Sequence, residues 1–116
     1  MFYNKRPDKE ICEKEHAIKR ARQRYFPKFT EQDLMRVRKK VIACDGVLLF
    51  KQSMRISCWE INYLGITCFL IFDRSRKQIV TFLPQIDFVA YYEAADEYRA
   101  HNEEYWDKKA NDKKAT

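Results

Sequence analysis

Three residues of this chain have types and a spacing that could do chemistry: His16, Arg20 and Arg24. An imidazole exchanges a proton near neutral pH, whereas a guanidinium is a permanent cation whose planar fork of donors matches a phosphate. The stretch from His16 to Tyr25 contains no glycine or proline and is made of good to fair helix formers, which predicts a helix. At about 3.6 residues per turn, side chains at i, i+4 and i+8 share one face. The expected stripe therefore carries one proton carrier and two phosphate donors.

A first helix over residues 8–25 would hold that stripe, with Asp8 as its N-cap and residues 1–7 as an arm without pattern. Ile11, Ile18, Ala21 and Tyr25 form its apolar side, roughly opposite His16, Arg20 and Arg24. Pro27 ends it. Thr30-Glu31-Gln32-Asp33 has the outline of a capping box, which starts a second helix reaching to about Cys44. Leu34, Val37 and Val41 are its buried side, Arg36, Arg38, Lys39 and Lys40 its basic side, and Asp45-Gly46 its stop.

From Val47 the hydrophobic period changes from about 3.6 to 2, which predicts strands over 47–51, 55–63, 66–72 and 79–83. Leu64-Gly65 has the length of a two-residue hairpin, although Leu suits a positive φ poorly. This turn sets Trp59 opposite Leu70. A second hairpin with Phe72 opposite Ile79 sets Thr81 beside Leu70. Alternation then puts Arg55, Trp59, Leu70 and Thr81 on one face, and Ile56, Cys58, Phe69, Ile71, Val80 and Phe82 on the other. Both faces are apolar enough to need covering. After Pro84, aromatic and apolar residues recur at helical spacing from Phe88 to Trp106, which predicts a third helix over about 85–107, with an acidic outer side and a polar tail at 108–116.

The expectation is a single α+β domain: two N-terminal helices, a four-stranded antiparallel sheet and a long C-terminal helix. Its 116 residues, 46% hydrophobic with two glycines and three prolines, suit one compact core rather than a disordered chain. Residues 1–84 carry 18 Lys and Arg against 9 Asp and Glu, a net +9, and residues 85–116 carry 5 against 8, a net −3. A basic body points to a polyanionic partner, with Arg22, Arg36, Arg38, Lys39 and Lys40 as further nucleic-acid contacts. The four cysteines form no C-x-x-C pair, so neither a metal nor another cofactor is expected. The longest apolar runs, 47–50 and 68–72, fall far short of the roughly 20 residues of a membrane span, and the charged N-terminus lacks a secretory apolar region. A cytoplasmic protein without membrane association is expected.

The segment His16-Ala17-Ile18-Lys19-Arg20-Ala21-Arg22-Gln23-Arg24 resembles the H-A-x-x-R-x-x-x-R opening of BrnT-like and related uncharacterised families of bacteria and phages. Ile79-Val80-Thr81-Phe82-Leu83-Pro84 resembles their final strand. The order helix, helix, four strands is similar to the RelE/ParE-type toxin fold, within the wider barnase, EndoU and colicin group. The resemblance covers about residues 15–84 and implies a nucleic-acid-engaging protein: members of this fold cut RNA without a metal, or otherwise bind nucleic acid or a gyrase. In that reading His16 moves a proton, Arg20, Arg24 and Arg55 hold the scissile phosphate, and Thr81 orients one of its oxygens. Glu15, Glu60 and Tyr63 are the candidates for a partner base. The competing expectation is a non-catalytic, phage-encoded inhibitor or accessory protein that binds a host protein or nucleoprotein complex through Tyr98, Tyr105 and Trp106. A homodimer joined through the third helix is a further expectation.

Overall fold

The computed structural model describes the backbone of residues 6–115 and the side chains of residues 12–101. Two helices precede a four-stranded antiparallel sheet, and a third helix follows it, an α+β architecture as the periodicity predicts. The elements are α1 (Arg6–Arg24), α2 (Glu31–Ile42), β1 (Val47–Lys51), β2 (Ile56–Tyr63), β3 (Ile66–Asp73), β4 (Gln78–Leu83) and α3 (Phe88–Ala115). A short 3-10 helix, Gln85–Asp87, leads into α3. No helix among the described residues is long and apolar enough to cross a membrane.

Helix α1 begins at Arg6 rather than at an Asp8 cap, because Pro7 sits in its first turn, where a missing amide hydrogen costs nothing. Ala17 and Ala21 are fully buried and let the helix approach the sheet closely, with Ile18 and Tyr25 packed beside them. Ile11, the remaining residue of the expected apolar side, lies outside the described side chains. Helix α2 starts with the capping box: Thr30 Oγ1 accepts from the Asp33 amide at 3.2 Å, and Asp33 Oδ2 accepts from the Thr30 amide at 2.9 Å.

The stop of α2 differs from the expectation. The Cys44 amide donates to Val41 O and the Asp45 amide to Lys40 O, a Schellman closure in which Cys44 takes the left-handed position at φ 57°. Gly46 has another task. A Cβ there would lie 2.3 Å from Ile61 Cδ1, so glycine lets the chain entering β1 pass against β2.

The strands run in the order β1-β2-β3-β4, each antiparallel to the next. Trp59 lies opposite Leu70 and Phe72 opposite Ile79, as the hairpins predict. Leu64 (φ 52°) and Gly65 (φ 78°) form the two-residue turn with both residues left-handed, Leu included. One alternation fails. Between the Phe72–Ile79 and Ile71–Thr81 pairs β4 carries an extra residue, so Phe82, not Thr81, comes opposite Leu70. This bulge moves Phe82 to the other face and turns Thr81 out at the edge of the sheet.

Each face is covered. The face carrying Ile61, Tyr63, Cys68, Leu70, Phe72, Ile79 and Phe82 packs under α1 and α2. The opposite face packs Leu49, Cys58, Phe69 and Ile71 against Ala95 and Tyr91 of α3. Helix α3 runs to Ala115 without a break at Asp107.

Candidate nucleic-acid interface

The structure brings three of the five proposed catalytic residues together: His16 Nε2 lies 3.3 Å from Thr81 Oγ1 at the exposed β4 edge, and Thr81 Oγ1 and Arg24 Nη1 both donate to the Phe82 carbonyl. The bulge that breaks the predicted alternation pairs Thr81 with Ile71, and the hydroxyl reaches His16 from the β4 edge.

The other two arginines do not join them. The Arg24 guanidinium reaches back along α1 to the carbonyl that Thr81 Oγ1 also contacts, at 3.5 Å. Arg20 Nη1 donates to Gln23 Oε1 at 2.9 Å. Arg55 lies at the opposite end of the stripe, where its Nη2 is 3.1 Å from Asp73 Oδ2. Asp73 also accepts from Arg76 Nε at 3.2 Å, and Arg76 Nη2 reaches Glu13 Oε1 at 2.7 Å. Glu13 precedes Arg24 by eleven residues on α1, about 16 Å of helix. No single phosphate spans the ends of that row, so Arg55 does not share one anion with Arg24, and the five residues of the sequence reading are not all gathered around one ligand.

The candidate partner bases are engaged elsewhere or lie outside the bonds at His16. Tyr63 OH donates to Asp33 Oδ1 at 2.6 Å, and the Tyr92 hydroxyl donates to Glu60. The Glu60 carboxylate, helped by burial, pushes the Tyr92 hydroxyl up to about 12, which removes it from acid-base work near neutral pH. Tyr91 OH donates to Pro84 O at 2.8 Å, and burial raises its hydroxyl as well. Glu15 is exposed and makes no bond to His16 among the described residues.

Most of the proposed basic contacts are similarly engaged. Arg22 Nε donates to Phe29 O at 2.6 Å and Arg38 Nε to Lys77 O. Arg36 lies 3.6 Å from Asp33, and Lys40 lies 3.0 Å from Asp45. Lys39 is exposed and has no acceptor among the described residues. Of the proposed partner-binding residues, Tyr98 is half-buried on α3, and Tyr105 and Trp106 lie outside the described side chains.

A different group of cations is unengaged. In a four-stranded meander the β1–β2 and β3–β4 turns fall at the same end of the sheet, and here both turns are basic. Lys51 and Arg55 flank the first, and Arg74, Arg76 and Lys77 occupy the second. Asp73, 1% exposed, holds the second turn by accepting from the Ser75 and Arg76 amides. Burial alone would push the Asp73 carboxyl up, but the Arg76 amide and guanidinium and the Arg55 charge together hold it below the usual range. Arg55 and Arg76 are thus neutralised. The side chains of Lys51, Arg74 and Lys77 are exposed and meet no carboxylate among the described residues.

These three cations rim a cavity of about 330 Å³ beside the C-terminal end of α2. Its walls are Val41, Ile42 and Leu48, its aromatic lining is Trp59 and Phe72, and no acidic residue borders it. Register explains the grouping: Lys51 pairs with Ser57 and Ser57 with Phe72, while Leu48 pairs with Trp59 one row further on. The indole is fixed in place, because Trp59 Nε1 donates to Ser57 Oγ at 2.9 Å. A smaller cavity of about 190 Å³ under α2 differs in charge, since Glu31 and Lys14 face each other there at 3.8 Å.

The sequence reading placed Trp59 only by its register opposite Leu70 and missed Lys51, Arg74 and Lys77. Their signal was the parity of the turns, which an up-and-down sheet places together. No family model, no curated protein and no solved structure matches this chain.

Proposed function

We propose that this protein binds single-stranded nucleic acid at the corner of the sheet bounded by α2, β1 and the β3–β4 turn. One observation carries the reading: Lys51, Arg74 and Lys77 surround a cavity lined by Trp59 and Phe72, with no carboxylate among its borders. Cations attract a phosphate backbone regardless of sequence, and an aromatic side chain offers every base a stacking partner. The net +9 of residues 1–84 adds a long-range attraction of the same sign. Kinship with the RelE/ParE-type fold is proposed on the His16-to-Arg24 motif and the element order, and it agrees with such a ligand.

Binding of a short unstructured RNA, measured at several salt concentrations, tests the reading. Three neutralised phosphates on a single strand give a slope of log K against log salt of about −2. A slope near zero, or no binding at low salt, overturns it.

Cleavage of the bound strand is a separate claim, and the His16–Thr81 contact is the observation in its favour. We also propose a protein partner at the start of α3, where Ile86 is 84% exposed, Val89 54% and Phe88 46%, beside a groove lined by Phe69 and Tyr92. An exposed apolar group of this kind suits a protein interface. Replacing Ile86 and Val89 by Ser, then comparing sedimentation and partner capture with the parent chain, tests that second reading.

A further inference from the structure

The cavity next to α2 has more specific content than a basic surface. At about 330 Å³ it lies at the small end of ligand pockets, which run from about 300 to 1,000 Å³. That is room for one ring system. Phe72 belongs to the α1–α2 core and Trp59 packs on its margin, but neither pairs with another ring: the described aromatic pairs join Tyr25, Phe26, Phe29, Tyr63, Phe69, Phe82, Phe88, Tyr91 and Tyr92 to one another. Ser57 is 7% exposed and its oxygen accepts the Trp59 indole hydrogen. A hydroxyl has one proton of its own to donate, and no acceptor for it is present among the described residues. The cavity therefore offers a fixed indole, a buried donor and a rim of three cations, all without a competing negative charge.

We infer that this cavity holds one unpaired nucleobase, packed on Trp59 and hydrogen-bonded by Ser57, with the flanking phosphates at Lys51, Arg74 and Lys77. The inference rests on the single-strand reading above and deepens it. A paired base presents its edge to its complement and its faces to its neighbours, so a duplex has no ring free to enter. The site then distinguishes single strands from duplexes by shape rather than by charge. Ring nitrogens and carbonyl oxygens of a base accept hydrogen bonds, which matches the one donor available. An alkyl chain with a carboxylate would satisfy the walls and the rim but would leave the Ser57 proton without a partner.

The full chain carrying Trp106→Phe makes Trp59 the sole indole reporter. It is titrated with a short oligoadenylate, with an abasic strand of equal charge, with a blunt duplex and with laurate. Expected is quenching of Trp59 by the oligoadenylate and binding roughly five- to a hundredfold tighter than to the abasic strand, the range for one stacked base.

Thiol labelling gives a readout that needs no substitution in the cavity. Cys44 lines the cavity and is exposed, and Cys12 is exposed on α1. Burial pushes the Cys58 and Cys68 thiols up to about 12, so they stay silent. Oligoadenylate should slow labelling of Cys44 and leave that of Cys12 unchanged. Trp59→Leu should abolish the preference over the abasic strand, and Trp59→Phe should restore part of it.

Equal affinity for oligoadenylate and abasic strand, with Cys44 unprotected, overturns the nucleobase and leaves strand binding standing. Absence of binding to any strand overturns both. Quenching and Cys44 protection by laurate alone reassigns the cavity to apolar anions and overturns the nucleobase as well.

Discussion

Two groups of cations on this molecule are made of the same residue types and have opposite surroundings. On the α1 side, Arg24 donates to a strand carbonyl, Arg20 to Gln23, and Arg55 and Arg76 close on Asp73 and Glu13. At the cavity, Lys51, Arg74 and Lys77 border no carboxylate. In the first group Arg24, Arg55 and Arg76 fasten α1 and the β3–β4 turn to the sheet, and the second has no acidic partner among the described residues. Regular spacing thus marked one cation that holds the fold, whereas those without an acidic partner are scattered along the sequence and gathered only by topology.

The largest expected effect lies in the engaged group. Asp73→Ala removes the acceptor of two guanidiniums and two turn amides, and each turn amide left without its acceptor costs about 1–3 kcal/mol. Denaturant unfolding measures it. The pH dependence has a definite sign. The Asp73 and Asp33 carboxyls are both held below the ordinary Asp value of 3.8: Asp73 by the Arg76 bonds and Arg55 outweighing burial, Asp33 chiefly by the Tyr63 hydroxyl and the Thr30 amide. Their stabilisation is present above that ordinary value and disappears as pH falls through the lower folded values. The parent should lose stability steeply below about pH 4, and Asp73→Ala should lose less over the same range. An unchanged acid limb would mean that Asp73 does not fasten the turn.

Arg24→Ala comes next. The partly buried Phe82 carbonyl loses its guanidinium donor and keeps only the Thr81 hydroxyl at 3.5 Å, which costs about 1–3 kcal/mol. Strand affinity should stay within experimental error. A large drop in affinity with normal stability would place Arg24 among the ligand-facing cations and collapse the contrast.

The mirror experiment is Arg74→Gln, Lys77→Gln and Lys51→Gln. None of these exposed side chains has a charged partner among the described residues, so stability should move by no more than about 0.5 kcal/mol. Each should reduce the salt slope of single-strand binding by about 0.7. Slopes that do not change would show that the phosphates lie elsewhere.

What could be read in advance follows from how locally each feature is encoded. The change of hydrophobic period near Val47 separates helices from strands, and two short turns suffice to set Trp59 opposite Leu70 and Phe72 opposite Ile79. The β4 bulge was illegible because no glycine marks it, and it alone transfers Phe82 to the α1–α2 core. That Arg24 bonds to Phe82 O is likewise invisible, since it depends on how closely Ala17 and Ala21 let α1 approach β4. The cavity rim was legible in principle. Two basic turns in a meander share one end of the sheet, and Asp73 can neutralise only its immediate neighbours.

The smallest stability effect belongs to the residue with which the sequence reading began. His16 is exposed, and its contact with Thr81 Oγ1 is 3.3 Å long, so His16→Ala should change unfolding free energy by no more than about 0.5 kcal/mol. Its value lies in a second readout, RNA cleavage in the presence of a chelator. If the α1 side only holds the fold, parent and variant are equally inert and bind a strand equally well. Cleavage by the parent that His16→Ala abolishes, at unchanged strand affinity, would make the imidazole a proton carrier. It would also mean that a strand held at the cavity passes over the β4 edge to reach it, so that the two groups of cations serve one ligand. Testing Thr81→Val in the same assay separates a positioned imidazole from a free one: only a positioned imidazole loses rate when the hydroxyl goes.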